Sequence, residues 1–223
     1  MIMKILLFVS LLFILLGVPG IRECNMKKRM MALVFSIIGS VGIAFAQTGQ
    51  YALIGGLQQL LFRGLGLILF CCILSRVCKK NDIQNLDALN GLGRFAPYTY
   101  MWLVLLAVFL IGVPGTGTFT GILYTQMGYM YGYVGIIGIV GQIANVVGMI
   151  VVCLVVLPIL KEGFLSGEKA LLTDEGEKQL KRIKGLSKGW HVLTAVVVLT
   201  LSVLSIYHNA WSSVVTRIIN ALM

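Results

Sequence analysis

One arginine in this sequence sits where water is scarce. Arg63 lies in the apolar run QYALIGGLQQLLFRGLGLILFCCIL, and all eight acidic residues fall in connecting stretches. A charge at the bilayer centre costs roughly 2.5–3.5 kcal/mol on insertion scales, so it persists only where it is used or neutralised. An arginine stays protonated, so its chemistry is electrostatic: it holds a fixed charge, organises water, repels cations or pairs with an acid from another chain. Within the chain its expected partners are Gln58 or Gln59, or a carbonyl freed at a helix break.

The other polar residues are read in the same way. Lys27 stands at a membrane edge, where it is either a solvated topology residue or turned toward an internal polar axis. His191 and His208 flank the last apolar segment and are expected at the interface. Gln142 and Asn145, three apart, share a helix face suited to interhelical hydrogen bonds worth about 0.6–2 kcal/mol. Gly135, Gly138 and Gly141 are expected to form a smooth packing strip. Tyr124, Tyr129, Tyr131 and Tyr133 are expected to form an aromatic belt. The five cysteines, Cys24, Cys71, Cys72, Cys78 and Cys153, lack CxxC spacing and read as small hydrophobes buried in the membrane. With no cofactor motif and no nucleophile–base arrangement, neither a cofactor nor catalysis within this chain is expected.

The elements that must position these residues are membrane spans. The chain has 223 residues, is 58% hydrophobic and only 12% charged, and has a mean hydropathy of +0.95. That composition excludes a soluble domain and points to a polytopic membrane protein. The fold class expected is all-α, a single transmembrane domain over 1–223. Its six spans lie near 3–20, 30–47, 51–76, 97–131, 133–160 and 191–217. The first has Lys4 ahead of its apolar core, but no A-x-A-like site follows, so a retained span is expected over a signal peptide. The fourth window is too long for one straight helix and contains Val113-Pro114-Gly115-Thr116-Gly117-Thr118, so a discontinuous helix broken at 112–118 is expected. Pro114, Gly115 and Gly117 would form the break.

Charge supports a single crossing there. Residues 22–29 carry a net +3, residues 76–97 a net +2, and the 161–190 loop seven basic against five acidic residues. If 97–131 crosses once, all three basic connections share one side, which the positive-inside rule assigns to the cytoplasm. The net charge of +10 therefore reads as topology, with no nucleic-acid partner expected. The 161–190 loop is amphipathic from about Asp174 to Lys184 and could lie along the membrane surface or dock a partner.

Three stretches, in order, resemble a known family. Asn25-Met26-Lys27-Lys28-Arg29-Met30-Met31-Ala32, followed by Ser36 and Gly39, resembles D-L-K-R-L-L-A-Y…S-x-x-G. Gln59-Leu60-Leu61-Phe62-Arg63 resembles H-A-L-F-K, and GL…P followed by GVPGTGTFTG resembles GL…P with G-M-P-G-T-G-N-F-V-G-E. The family is that of the proton-conducting antiporter-like subunits of respiratory complex I, Mrp-type antiporters and membrane-bound hydrogenases. The match covers roughly 22–165, and GVPGTGTF is its most specific piece.

The resemblance implies that Arg63 stands at a lysine of the proton path, Gln59 at a histidine and Ile122 at an ionisable position. Lys27 matches the lysine of the first motif. Family members carry two inverted repeats, so this chain would correspond to the later half, without the first repeat and its glutamate–lysine pair. Arg63, Gln59 and Ile122 each remove a titrating group. The expected function is a shortened antiporter-like subunit of a proton- or cation-translocating complex linked to NADH dehydrogenase, hydrogenase or Mrp-type antiport. Its partners would be other integral membrane subunits and the lipid of the cell membrane. The alternative is a structural or assembly subunit that has lost ion translocation. Arg63, Gln59 and Lys27 are the ion-path candidates.

Overall fold

The computed structural model describes residues 2–47, 50–89, 92–132, 135–165 and 185–207, together with 213, 214 and 217. Its apolar runs are helical because a segment in lipid must satisfy its own backbone groups. In chain order the helices are α1 Ile2–Gly17, α2 Met26–Phe45, α3 Gln50–Lys80, the single turn α4 Leu92–Phe95, α5 Pro97–Ile111, α6 Gly117–Gly132, α7 Ile136–Leu165 and α8 Lys188–Ile206. Asn25 caps α2, its side chain accepting from the N–H groups of Lys27 and Lys28. The chain belongs to the all-α class.

Among the described residues five helices are long and apolar enough to cross a membrane: Ile2–Ile21, Met26–Phe45, Leu53–Lys80, Ile136–Gly163 and Lys188–Ile206. α5 and α6 have 15 and 16 residues, each short of the roughly 20 a crossing needs. Their neighbours on α3 show how they combine. Gly66 lies beside Phe109 and Leu110 at the end of α5, while Gly55 lies against Gly121 and Thr125 of α6. Between these levels the Phe62 ring stacks on Phe109 at 6.4 Å and also packs against Gly117. α5 and α6 therefore follow one another along α3, antiparallel to it, with an interruption at 112–116. The helical segment before α5 meets it at a bend of 113°.

The break is built from its own sequence. Gly112 (φ 81°) ends α5 in the left-handed region, where a Cβ is strained, and Gly115 adopts φ 96°. The N–H groups of Gly112 and Val113 both return to the Val108 carbonyl, at 3.1 and 3.2 Å. Thr116 then opens α6, its hydroxyl accepting from the Phe119 N–H at 3.3 Å. The Gly117 N–H donates to Ser205 Oγ of α8 at 2.8 Å, so a neighbouring helix satisfies a group that the break sets free.

The described parts of the three basic connections touch one another. Met26 N–H donates to the Gln84 carbonyl (2.9 Å) and Leu86 N–H to the Cys24 carbonyl (2.8 Å), joining the first connection to the second. Lys80 Nζ donates to the Gly185 carbonyl at 2.7 Å, and the Arg76 guanidinium lies 4.0 Å over the Trp190 ring, joining the second to the third.

Several expectations need correction. α7 runs to Leu165, so Glu162 lies in its last turn and not in a connection. Tyr129 is fully buried and donates its hydroxyl to the Ile43 carbonyl at 2.8 Å, which makes it a core residue and not part of a belt. Tyr51 does gather with Tyr124 and Tyr131, with ring centroids 6.2 and 6.3 Å apart. Gly135 (φ 98°) precedes α7 with open space around it, so the packing strip begins after it, and Gly141 lies under the Tyr129 ring. Cys24 is exposed at the bundle end, so it is not a membrane-buried thiol. Tyr133, His208, the 174–184 amphipathic stretch and most of the last span beyond 207 lie outside the described residues.

Candidate functional site

α3 carries the polar centre of the bundle on the face it turns inward. Gly55 and Gly121 let α3 and α6 approach so closely that Gln59 and Thr125 meet across the interface. Arg63 is completely buried at the level of the α5–α6 break. Its Nη1 donates to Gln59 Oε1 one turn earlier at 3.0 Å, and Gln59 Nε2 donates to Thr125 Oγ1 at 2.9 Å. Thr125 Oγ1 donates in turn to the Gly121 carbonyl at 2.9 Å, and the Thr125 backbone carbonyl accepts from Gln47 Nε2 at 3.0 Å. A hydrogen-bonded row thus runs from the middle of the bundle toward the end opposite the basic connections.

Two side groups flank this row. Thr120 Oγ1 donates to Gln58 Oε1 at 3.3 Å, and Asn145 Nδ2 of α7 donates to the Ile122 carbonyl at 3.4 Å. The second contact is the interhelical bond expected of Asn145. Arg63 Nε and Nη2, Gln58 Nε2, Thr118 Oγ1, Asn145 Oδ1 and Gln47 Oε1 are buried without a hydrogen-bond partner among the described residues. The row therefore keeps hydrogen-bonding capacity to spare, concentrated on a cation whose partner among the described residues is a neutral amide.

Chemically the row can hold a positive charge and orient hydrogen bonds around it. It has no group that exchanges protons near neutral pH, because arginine stays charged and glutamine and threonine do not ionise. The position read as ionisable in the family is here Ile122, a buried side chain. Among the described residues no cluster of three or more His, Cys, Asp or Glu is arranged to hold a metal ion.

The sequence candidates separate in space. Arg63 and Gln59 are in direct contact, and Gly117, at the start of α6, packs against the neighbouring Phe62, while Pro114 and Gly115 are exposed in the break. Lys27 does not join them: it is exposed and lines a cleft at the basic end of the bundle. His191 accepts from Trp102 Nε1 at 3.0 Å, near that same end.

Arg29 is the residue that the sequence reading missed. Counted there among the topology charges, it is buried and forks onto three carbonyls: Nε to Glu23 (2.8 Å), Nη2 to Ile21 (2.9 Å) and Nη1 to Val155 of α7 (3.2 Å). Its spacing held the signal, since three residues after Met26 and four before Leu33 is the buried face of α2.

Comparison with known proteins places this geometry in a family. Residues 1–148 match the family described as NADH:quinone oxidoreductase/Mrp antiporter, TM. Over 126 residues the chain is 28% identical to NADH-quinone oxidoreductase subunit N of Parvibaculum lavamentivorans. It is 25% identical over 126 residues to subunit M of Buchnera aphidicola. Each match covers 56% of this chain, but only 26% and 25% of those relatives, so the chain aligns with about a quarter of their length.

Solved structures share the fold. An archaeal membrane-bound sulfane sulfur reductase superposes with a TM-score of 0.80 at 15% identity, over 97% of this chain and 41% of that one. A Dietzia Mrp complex gives 0.72 at 15% (96% and 46%), and Thermus thermophilus respiratory complex I gives 0.69 at 19% (92% and 41%). The chain belongs to the family of antiporter-like transmembrane subunits shared by NADH:quinone oxidoreductases and Mrp antiporters.

Proposed function

We propose that this chain is one membrane subunit of a larger ion-translocating complex, in which it supplies a half-channel organised around the fixed charge of Arg63. The supporting observation is a fully buried guanidinium with a single neutral partner among the described residues, set beside a broken helix at mid-bundle. Broken helices in transporters accompany ion sites, because the break brings free backbone groups and half-helix ends to the midplane. Proton exchange itself falls to titrating groups on partner chains, whose energies Arg63 sets through its field. The transported ion is a proton or a small cation. The three basic connections face the cytoplasm, by the distribution of lysine and arginine. Lys27, at the surface cleft, stands apart from this path.

A structural or assembly role is the second reading. Ile122, buried where the family carries an ionisable group, favours it. Both readings require partners. Purification from native membranes in a mild detergent is expected to return the chain with other integral membrane subunits, in a particle far larger than its own 24.3 kDa. A chain that elutes alone would contradict both.

A further inference from the structure

A cleft of about 500 Å³ opens between the first turn of α2 and the last turn of α3, at the basic end of the bundle and away from Arg63. We propose that it binds the head group of an anionic phospholipid, its phosphate held by the Lys27 and Lys79 ammonium groups. The cleft lies where two spans leave the hydrocarbon, which is the depth of lipid phosphates. Basic pockets between transmembrane helices at such a level suit anionic head groups.

The lining favours a lipid over a wholly polar ligand. Met26, Met30 and Ile83 give apolar walls beside the two lysines, so one site meets both the charge and the glycerol end of the acyl chains. Neither lysine side chain makes a hydrogen bond or ion pair among the described residues. Asp82 also lines the cleft and opposes them, leaving a net positive charge.

Backbone donors at the start of α2 do not compete for the phosphate, because they are already engaged. Met26 N–H is bonded to the Gln84 carbonyl, and those of Lys27 and Lys28 to Asn25 Oδ1. Recognition therefore rests on the lysine side chains, and removing them should weaken it without disturbing the helix cap.

Native mass spectrometry of the purified full chain, delipidated and then offered phosphatidylglycerol or phosphatidylcholine, tests the site. The unaltered chain is expected to retain one phosphatidylglycerol in preference to phosphatidylcholine. Lys27→Gln with Lys79→Gln is expected to weaken that retention about tenfold or more, since each basic residue near the head groups contributes to the attraction. Lys161→Gln, an exposed lysine at the end of α7, is expected to leave it unchanged. Asp82→Asn is expected to strengthen it. Asn tolerates the φ of 52° found at position 82, so this variant keeps the turn and gives a change of opposite sign.

Equal retention of the two lipids, or a double lysine variant that binds phosphatidylglycerol as before, would overturn the proposal. So would inorganic phosphate displacing the lipid at matched concentration. Loss of a co-purifying acidic protein from the double variant, with lipid binding intact, would assign the cleft to a protein partner instead.

Discussion

Replacing Arg29 by leucine is expected to destabilise the folded bundle by about 2–4 kcal/mol, because it removes charge-assisted bonds and strands at least one buried acceptor. The guanidinium ties three parts of the chain together. Its bonds to Ile21 and Glu23 fix the connection leaving α1, and its bond to Val155 fixes α7 against α2. Val155 is next in sequence to Leu154, whose carbonyl Pro158 leaves without its helical donor, so α7 is locally weakened where Arg29 reaches it. Arg29→Lys keeps the charge but loses the fork, and is expected to recover only part of the stability. Detergent-mediated unfolding followed by tryptophan fluorescence measures both variants. A leucine variant as stable as the original chain would show that the three bonds contribute nothing.

Gly55→Val is expected to cost about 1–3 kcal/mol, the range for overpacking a well-packed core, and more if the helices separate. A Cβ at position 55 would come within 2.9 Å of both the Gly121 carbonyl oxygen and the Thr125 amide nitrogen. Those are backbone atoms, and they cannot swing aside as a side-chain tip would. Relief requires α3 and α6 to move apart, which also pulls Gln59 away from Thr125 and interrupts the polar row. Gly64 provides the contrast. It lies in the same helix, and a Cβ added there would meet nothing within 4 Å, so Gly64→Ala is expected to be neutral or stabilising through helix propensity alone. The same unfolding measurement compares the two. Equal effects at positions 55 and 64 would mean that the contact of α3 with α6 is looser than described.

Much of the architecture is legible in the sequence because the bilayer imposes a simple rule. Apolar length marks the spans. The V-P-G-T-G run marks the break, since few other sequences combine a missing donor with glycines able to adopt positive φ. The pairing of Arg63 with Gln59 is legible too, because residues four apart on a helix meet.

What was not legible depends on the neighbour across an interface. Tyr129 looked like one of a belt of tyrosines, and only the Ile43 carbonyl opposite it explains its burial. Arg29 looked like its basic neighbours Lys27 and Lys28. Its difference lies in the helical phase, which turns it inward while they face out. Thr125, the hub that joins Gln59 and Gln47, carries no sequence signal beyond being a threonine in an apolar helix. Its role comes from the close approach of α3 and α6.

The electrostatic role of Arg63 is tested most directly by ion translocation in the assembled complex carrying Arg63→Leu, reconstituted into sealed vesicles and driven by its own reaction. Leucine keeps the volume apolar and removes the charge. Two unit charges ~4 Å apart at an effective dielectric of ~20 interact by about 4 kcal/mol, so translocation is expected to fall by about tenfold or more while the subunit composition stays the same. Unchanged translocation by an intact complex, or a complex that no longer assembles, would contradict the account and leave Arg63 a structural residue.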